Sequence, residues 1–282
     1  MKKIKGIFKN LFDIISLPEM MHLPGNLAFF IILSIFPILI LIGISASYFS
    51  VSIDSIVSAL KNALPSGVEQ LLLPYIQMSY FPKNILISTF IAFVLASNGT
   101  HALILASNSL YNIKNSNYIK RRIKALFLII LIIVLFLFMI SFLAYGNEIF
   151  TFILETVTFR PKNKVLYYIF AYIKWPIAML IIFIIMKIVY VLSPDGKIYS
   201  QTTTKGALFA TLGFTAATAI FSFYVNNFAN YDIYYGSIAT IIVLMMWVYI
   251  LSYILMVGMA INVKYYKNMN NKNIKTNNIN VL

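Results

Sequence analysis

The sequence predicts an all-α polytopic membrane protein with six transmembrane helices, and three observations support that fold class. Of the 282 residues, 61% are hydrophobic and 11% are charged, against about 45–50% and about 25% in soluble domains. The hydrophobic residues gather into six long runs, and the basic residues favour alternate connections between them. A soluble core of this length cannot bury so much apolar surface, because surface area falls too slowly with size.

The six apolar runs each come close to the roughly 20 residues that a helix needs to cross the hydrocarbon core. They cover about 27–48, 85–110, 123–144, 165–192, 206–228 and 237–263. The sequence lacks the alternating segments of about ten residues that are typical of a transmembrane β-barrel. We therefore predict one membrane domain, residues 1–266, built from six helices.

Three further segments are predicted to lie outside the hydrocarbon core. Residues 4–16 place apolar side chains on one helical face, which is typical of a short helix lying on the membrane surface. The residues Ser66 to Glu69 match a capping box and predict a second amphipathic helix in the outer loop, about 51–82. Residues 267–282 are rich in Asn and Lys and predict a disordered cytoplasmic tail, since they have little to bury.

The basic residues predict the orientation of the spans. Fifteen of the 22 lysines and arginines lie in or beside the N-terminal segment, the second and fourth connections and the C-terminal segment, and five lie in the first and third connections. Cytoplasmic loops carry the excess of Lys and Arg, so both termini are predicted to be cytoplasmic. The formal charge of +14 is then explained by the anionic lipids of the inner leaflet, and no nucleic-acid partner is expected.

Motifs of soluble enzymes are not found in the sequence. It contains no cysteine and only two histidines, and its eight acidic residues are scattered. Phosphate-binding loops, nucleophile elbows and the His-Glu-x-x-His zinc motif are absent. We therefore expect no enzymatic activity, no cofactor and no metal site.

The second span carries the polar residues that point most directly to function. Asn98, His101 and Asn108 fall along one stripe of the predicted helix, and polar groups within a membrane are costly unless they have partners. Such a face is suited to line a cavity or pathway. It is equally suited to hydrogen bonding between helices, worth about 0.6 kcal/mol on average in membranes. The sequence leaves both interpretations open.

Other spans contain residues that disturb or tighten a helix. Lys174 precedes Pro176 in the fourth span, where its ammonium group would either face a cavity or reach the outer interface by snorkelling, which the length of the span favours. Pro37 interrupts the first span and predicts a kink. Gly206 begins a run of small residues at helical spacing in the fifth span, which favours close packing of helices.

Two stretches of the sequence resemble the YihY/BrkB family of bacterial inner-membrane proteins. The first is the run that begins at Asn26, with the sequence NLAFFIILSIFPILILIGI, and the second is the C-terminal third. The residues that carry the second resemblance are Pro194, Lys205 to Leu208, Phe221 to Tyr224, Tyr235 to Ser237, Trp247 to Tyr249 and Gly258 to Asn262. Asn108 and Tyr111 before a basic cluster also fit this family.

The resemblance implies a six-span layout and adds candidate residues. Tyr224 and Tyr235 join the candidates for lining a cavity, and Gly236 and Gly258 join those for a hinge or close packing. The family usually carries Glu two residues after the glycine that matches Gly258, where this chain has Ala260. Members of this family have been mislabelled ribonuclease BN, and others have been linked to virulence.

Two functions are consistent with these features. The six spans, the polar face of the second span and the Pro breaks favour a transporter or flippase of an unidentified small solute or lipid. The lack of charged groups deep in the spans favours a non-transporting scaffold or assembly protein of the cell envelope. A ribonuclease is disfavoured, because nuclease metal sites need clustered carboxylates or histidines. Homo-oligomer formation is left open by the sequence.

Overall fold

The computed structural model describes residues 11–48, 54, 56–58, 72, 85–158, 164–228 and 238–279. Within this part of the chain, the secondary structure consists of helices and turns, with no strand. The predicted all-α fold class is therefore confirmed for the described residues.

Six long helices and one short 3₁₀ helix make up most of the described structure. They are α1 (Pro18–Tyr48), α2 (Ile85–Tyr111), α3 (Tyr118–Thr158), α4 (Lys164–Leu192), the 3₁₀ helix Ser200–Thr203, α5 (Thr204–Phe228) and α6 (Ala239–Ile279). Each predicted span lies within or closely matches one of these helices, because long apolar runs leave the backbone no hydrogen-bond partner in lipid other than itself.

Five described segments are long and apolar enough to cross a membrane. They are Pro18–Ser45, Thr89–Tyr111, Tyr118–Met139, Ser200–Val225 and Ala239–Met269. The apolar segment Pro176–Leu192 in α4 is shorter. A protein that crosses the membrane several times is thus supported, while the sixth crossing and the cytoplasmic termini remain predictions.

The helices pack in a closed ring in chain order. Each helix contacts the next one along the chain, and α6 returns to pack against α1. One hydrophobic cluster joins α1, α2, α4, α5 and α6 and includes the fully buried Tyr190 and Met256. A second cluster joins α1, α2, α3, α5 and α6 around Leu41, Ile42 and Leu244.

Four chain segments meet at one end of this ring, which we call the basic end. They are the start of α1, the connection 112–117, the connection 193–203 and the C-terminal part of α6. The rings of Tyr111 and Tyr266 stack edge to face there, with centroids 5.5 Å apart. The described cations of this end include Lys114, Lys120, Arg121, Arg122, Lys124, Lys197, Lys205, Lys264 and Lys267.

Helix bounds differ from the predicted spans where polar residues extend a helix beyond its apolar run. Helix α3 continues to Thr158, well past the predicted end at residue 144. Helix α6 continues to Ile279, although the composition of residues 267–282 predicts disorder. Extending an existing helix adds one hydrogen bond per residue without a new nucleation cost, so polar residues that follow an apolar run can continue its helix.

The predicted surface helices are described only in part. Residues 11–15 are helical and lead through a turn into α1. In this short helix Leu11 and Ile14 pack on the core, whereas Phe12 and Ile15 are exposed. Residues 4–10 and the capping box at 66–69 lie outside the described residues.

Candidate functional site

A polar cluster around Asp195 joins three helix ends at the basic end. The carboxylate oxygen Oδ2 of Asp195 accepts hydrogen bonds from Asn108 Nδ2 at 2.8 Å, from the backbone N–H of Ser116 at 3.0 Å and from Ser116 Oγ at 2.9 Å. Lys124 Nζ lies 3.2 Å from the other carboxylate oxygen. We call these residues, together with Asn115, the Asp195 cluster.

The end of α2 is shaped so that Asn108 faces this carboxylate. Asn112 adopts a left-handed conformation with φ of 55°, and the N–H groups of Ile113 and Asn112 bond the carbonyls of Asn108 and Ser109. This is the Schellman pattern that terminates many helices. The Asn108 side chain is then held from both sides, since its Oδ1 accepts the N–H of Asp195 at 2.8 Å and its Nδ2 also donates to Asn115.

Lys124 caps the C-terminal end of α4. Its ammonium group donates to the carbonyls of Ser193 at 2.9 Å and Pro194 at 2.6 Å, as well as to Asp195. A cation at a helix C-terminus is favourable because the last carbonyls have no partner within the helix. One side chain of α3 therefore fixes both the α4 terminus and the Asp195 carboxylate.

The Asp195 carboxylate is held in its charged form. Its side chain is 8% exposed and that of Lys124 is 25% exposed. Burial opposes ionisation, but the hydrogen bonds from Ser116, Asn108 and Lys124 outweigh it and lower the pKa of Asp195 to about 2. A carboxylate with several donors is the case in which a buried charge is stabilised rather than neutralised.

The middle part of the polar face of α2 is bonded to α3. Asn98 Oδ1 accepts a hydrogen bond from Arg122 Nη1 at 2.9 Å, and Arg122 Nη2 donates to the Val94 carbonyl at 2.6 Å. Thr100 Oγ1 donates to the carbonyl of Ala125 at 2.8 Å. These contacts give Asn98 a partner on a neighbouring helix, as the helix-packing interpretation requires.

His101 differs from its neighbours on this face. Its ring packs edge to face on Tyr118, with centroids 5.8 Å apart, and its buried Nε2 has no hydrogen-bond partner among the described residues. Among the predicted candidates, Asn98 and His101 thus lie against α3, and Asn108 lies in the Asp195 cluster.

The remaining candidates are dispersed or undescribed. Tyr224 is 42% exposed on α5. Pro176 lies inside α4 with its ring exposed, and Pro37 lies inside α1. The side chain of Lys174 and the residues Tyr235 and Gly236 lie outside the described residues.

Gly206 and Gly258 lie at a close approach of α5, α6 and α4. The Gly206 N–H donates to Asn262 Oδ1 at 2.7 Å, which satisfies one free donor in the first turn of α5. A Cβ atom on Gly206 would collide with the Gly258 carbonyl, and one on Gly258 would collide with the Tyr190 hydroxyl. That hydroxyl donates to the Leu255 carbonyl at 2.9 Å.

Several buried polar atoms have no partner within the described part of the structure. On α2 they include Ser107 Oγ and the Tyr111 hydroxyl, and on α6 they are Ser252 Oγ and Asn262 Nδ2. These two helices contact each other. Nearly all buried polar groups in proteins are hydrogen-bonded, so each exception needs an explanation.

Sequence reasoning did not single out Asp195, Ser116 or Lys124. Asp195 and Asn108 are 87 residues apart, and no local spacing connects them. The available signal was the position of Asp195 directly after Ser193-Pro194 at the end of a predicted span, in a connection predicted to lie on the same side of the membrane as the basic second connection.

These observations together define a helical membrane protein with several crossings whose helix ends are tied by a polar cluster. The chain belongs to the family described as Virulence factor BrkB, which it matches over residues 13–278. The predicted resemblance to the YihY/BrkB family is thereby confirmed.

Relatives of the chain support the same assignment. The ribonuclease-like protein YfkH of Bacillus subtilis is 30% identical over 266 residues, covering 93% of this chain and 96% of the relative. A UPF0761 membrane protein of Alteromonas mediterranea is 34% identical over 71 residues, about a quarter of each chain (25% and 24%). One of Vibrio cholerae is 36% identical over 69 residues, 24% and 23% of the two chains. No solved structure matches the sequence.

Proposed function

We propose that this protein is a transporter or flippase of the bacterial cytoplasmic membrane that moves a small solute or a lipid. The proposal assigns it six crossings, with both termini in the cytoplasm and the basic end facing the anionic inner leaflet. The three-to-one excess of Lys and Arg in the corresponding segments supports this orientation. Reporter tags fused to the N-terminus and to the connection 193–203 would both be cytoplasmic, and opposite locations would refute the layout.

The observation that carries the transport proposal is the set of unpartnered polar atoms on α2 and α6. A buried donor or acceptor without a partner costs about 1–3 kcal/mol, and lipid offers no replacement partner. Ser107 and Ser252 are 0% and 1% exposed, so both hydroxyls bear this cost. Polar groups retained at such a cost inside a membrane are typical of a substrate path, where a passing polar group or another conformation supplies the missing bond.

The Asp195 cluster fits this function as the element that holds the basic end together. It ties the end of α2, the connection 112–117 and the end of α4 through one carboxylate. Transport by alternating access requires an end that opens and closes. In our proposal the Asp195 cluster stabilises the closed form of this end, and its separation accompanies opening.

Purified protein in vesicles tests the proposal. The probes are fluorescent phospholipids, whose movement between leaflets is followed by chemical quenching, and radiolabelled amino acids and sugars, whose entry is counted. Ser107→Ala and Ser252→Ala should slow the movement of the transported probe while leaving thermal stability unchanged or raised, because each removes an unpaired hydroxyl. The exposed Ser109→Ala is the matched control. Absence of any movement in wild-type vesicles would refute transport.

A scaffold or assembly role in the envelope is the second candidate. It is favoured by Asn98 and Thr100, whose side chains are bonded to α3 and not directed at a pathway. A homo-oligomer or a stoichiometric partner retained in mild detergent, together with vesicles that show no movement of any probe, would favour this role over transport.

Enzymatic activity is not part of the proposal, and neither are a cofactor or a nucleic-acid partner. The word ribonuclease belongs to the name of the relative YfkH. The scattered acids and the two histidines of this chain offer few candidates for a metal-dependent nuclease. Cleavage of RNA by rigorously purified protein, lost on chelation of divalent metals, would overturn this part of the proposal.

A further inference from the structure

A small cavity opens at the basic end between α1, α2 and α6. Its volume is about 80 Å³, and it is lined by Leu17, Glu19, Leu110, Ala260, Val263 and Lys267. One water-sized sphere occupies about 10–15 Å³ on this measure, so the cavity holds on the order of five such groups. It is separate from the Asp195 cluster and shares no residue with it.

The lining combines apolar walls with one charge of each sign. Ala260 and Leu110 are buried and form the apolar part, while Glu19 comes from the first turn of α1 and Lys267 from α6. Within the described part of the chain, Glu19 and Lys267 form no ion pair with each other or with another residue. Both charges are therefore available to a ligand that carries the two opposite charges.

Exposed apolar side chains lie close in sequence to Leu17 and Glu19, which line the cavity. Phe12 is 71% exposed, Ile15 47%, Leu17 38% and Met21 92%, and they flank Glu19 in sequence. Exposed apolar residues beside charged ones are typical of the membrane interface, where acyl chains cover the former and headgroups contact the latter. The cavity therefore lies where a phospholipid headgroup and its first acyl carbons would meet the protein.

We propose that this cavity binds the headgroup of a zwitterionic phospholipid with a primary amine, phosphatidylethanolamine. The ammonium group would donate to the Glu19 carboxylate, and the phosphate would accept from the Lys267 ammonium group. Hydrogen bonds between charged partners are about twice as strong as neutral ones. The ethanolamine group matches the size of the cavity and contacts the apolar wall formed by Ala260 and Val263.

The charges discriminate between phospholipid classes. An anionic headgroup without an amine would gain from Lys267 but be repelled by Glu19. Choline carries the same charge as ethanolamine but is larger and has no N–H to donate, so it satisfies Glu19 poorly. Phosphatidylethanolamine is the common phospholipid whose two charges and size fit together.

The binding of phosphatidylethanolamine to this cavity does not depend on the proposed transport function. The further idea that phosphatidylethanolamine is the transported substrate rests on that proposed function. Binding is therefore measured without flux. The purified full chain is incubated in mild detergent with phosphatidylethanolamine, phosphatidylcholine and phosphatidylglycerol of identical acyl chains, and bound lipid is counted by native mass spectrometry. Binding without flux would reject transport, and flux without this binding preference would reject the site.

Variants of residues that line the cavity test whether the lipid binds there. Glu19→Gln and Lys267→Gln should each lower the preference for phosphatidylethanolamine by about threefold, the size expected for one partly exposed charge pair. Ala260→Leu should lower it further by filling the cavity. The exposed residues Asp13 and Lys197 provide the matched controls Asp13→Asn and Lys197→Gln, which should leave the preference unchanged.

Three results would overturn the inference. The first is equal retention of the three lipids by the wild-type chain. The second is a preference for phosphatidylethanolamine that persists in both Glu19→Gln and Lys267→Gln, and the third is a preference for phosphatidylglycerol that depends on Lys267 alone. Because these two charged side chains are partly or fully exposed, the variants should fold, and unchanged thermal stability confirms it.

Discussion

Because Gly206 lies against Gly258, adding one methyl group at Gly206 is expected to destabilise the folded protein strongly. In Gly206→Ala the new Cβ collides with the backbone carbonyl of Gly258 and with the amide of Asn262. A backbone atom cannot rotate away, so α5 must move from α6 and stretch the 2.7 Å hydrogen bond from Gly206 N–H to Asn262.

The expected loss of folding free energy in Gly206→Ala has two sources, overpacking and a stretched hydrogen bond. Overpacking of a tight contact costs about 1–3 kcal/mol, and the stretched hydrogen bond adds about 0.5–1.5 kcal/mol. Alanine recovers up to about 1 kcal/mol through its better helix propensity. The net destabilisation is about 2 kcal/mol, which corresponds to a fall in Tm of about 4–8 °C for a chain of this size.

Thermal unfolding of the purified protein in one detergent measures this effect, with two glycines as matched controls. A Cβ on Gly25 meets only Tyr249 Cε2 at 3.9 Å, so Gly25→Ala should leave Tm unchanged or slightly raised. A Cβ on Gly213 meets the movable Ile254 side chain at 2.7 Å, so Gly213→Ala should fall between the two. Equal Tm values for Gly206→Ala and Gly25→Ala would refute the close-approach argument.

Two further variants probe single hydrogen bonds between helices. Thr100→Val removes the bond to the Ala125 carbonyl and should cost only about 0.6 kcal/mol, the average for such bonds in membranes, and a Tm fall above about 5 °C would contradict this. Tyr190→Phe removes the bond to the Leu255 carbonyl and should cost about 1 kcal/mol without loss of folding, and an unchanged Tm would show that the hydroxyl contributes nothing.

The spans of this fold were predictable because a single physical requirement dominates them. An apolar run in lipid must satisfy its own backbone, and this fixed the positions of α2, α4 and α5 to within a few residues of the structure. The ends were less predictable where polar residues continue a helix. The third span was predicted to end at residue 144, yet α3 continues to Thr158, because extending an existing helix carries no new nucleation cost.

The candidate site was predictable only on the α2 side. Asn98, His101 and Asn108 stand out because polar residues are rare in apolar runs. Their partners do not stand out, since Arg122, Lys124 and Asp195 lie in connections or helix ends where charged residues are ordinary. The choice between helix packing and a cavity was likewise not decidable from sequence, because it depends on which helix lies opposite each side chain.

Position 260 distinguishes this chain from the usual pattern of its family. Ala260, where the family usually has Glu, lines the cavity that also contains Glu19 and Lys267. A Glu at this position would add a second negative charge to a cavity that already holds one. In this chain Glu19 is therefore the acidic group of the cavity among the described lining residues, which makes its substitution the informative one.

The Asp195 cluster predicts a specific loss of stability in acid. The ordinary pKa of an aspartate is 3.8, and that of Asp195 in the folded protein is about 2. A group whose pKa is lower in the folded state stabilises the protein above its unfolded pKa, and this contribution disappears as the pH falls through its folded pKa. The difference corresponds to about 2 kcal/mol, present above about pH 4 and lost by about pH 2.

Comparison of the wild type with Asp195→Asn isolates this contribution from the other carboxylates. Above pH 5 the variant should have a Tm lower by about 4–8 °C, because the amide keeps the shape of the side chain but loses the charge that Ser116, Asn108 and Lys124 bond. As the pH falls from 4 to 2, the two Tm values should converge, since the wild-type carboxylate becomes protonated. Asp13→Asn, at an exposed aspartate, should show no such convergence. A Tm difference between wild type and Asp195→Asn that stays constant over this range would mean that the side chain acts through its shape, and the Asp195 charge would then play no part in holding the basic end together.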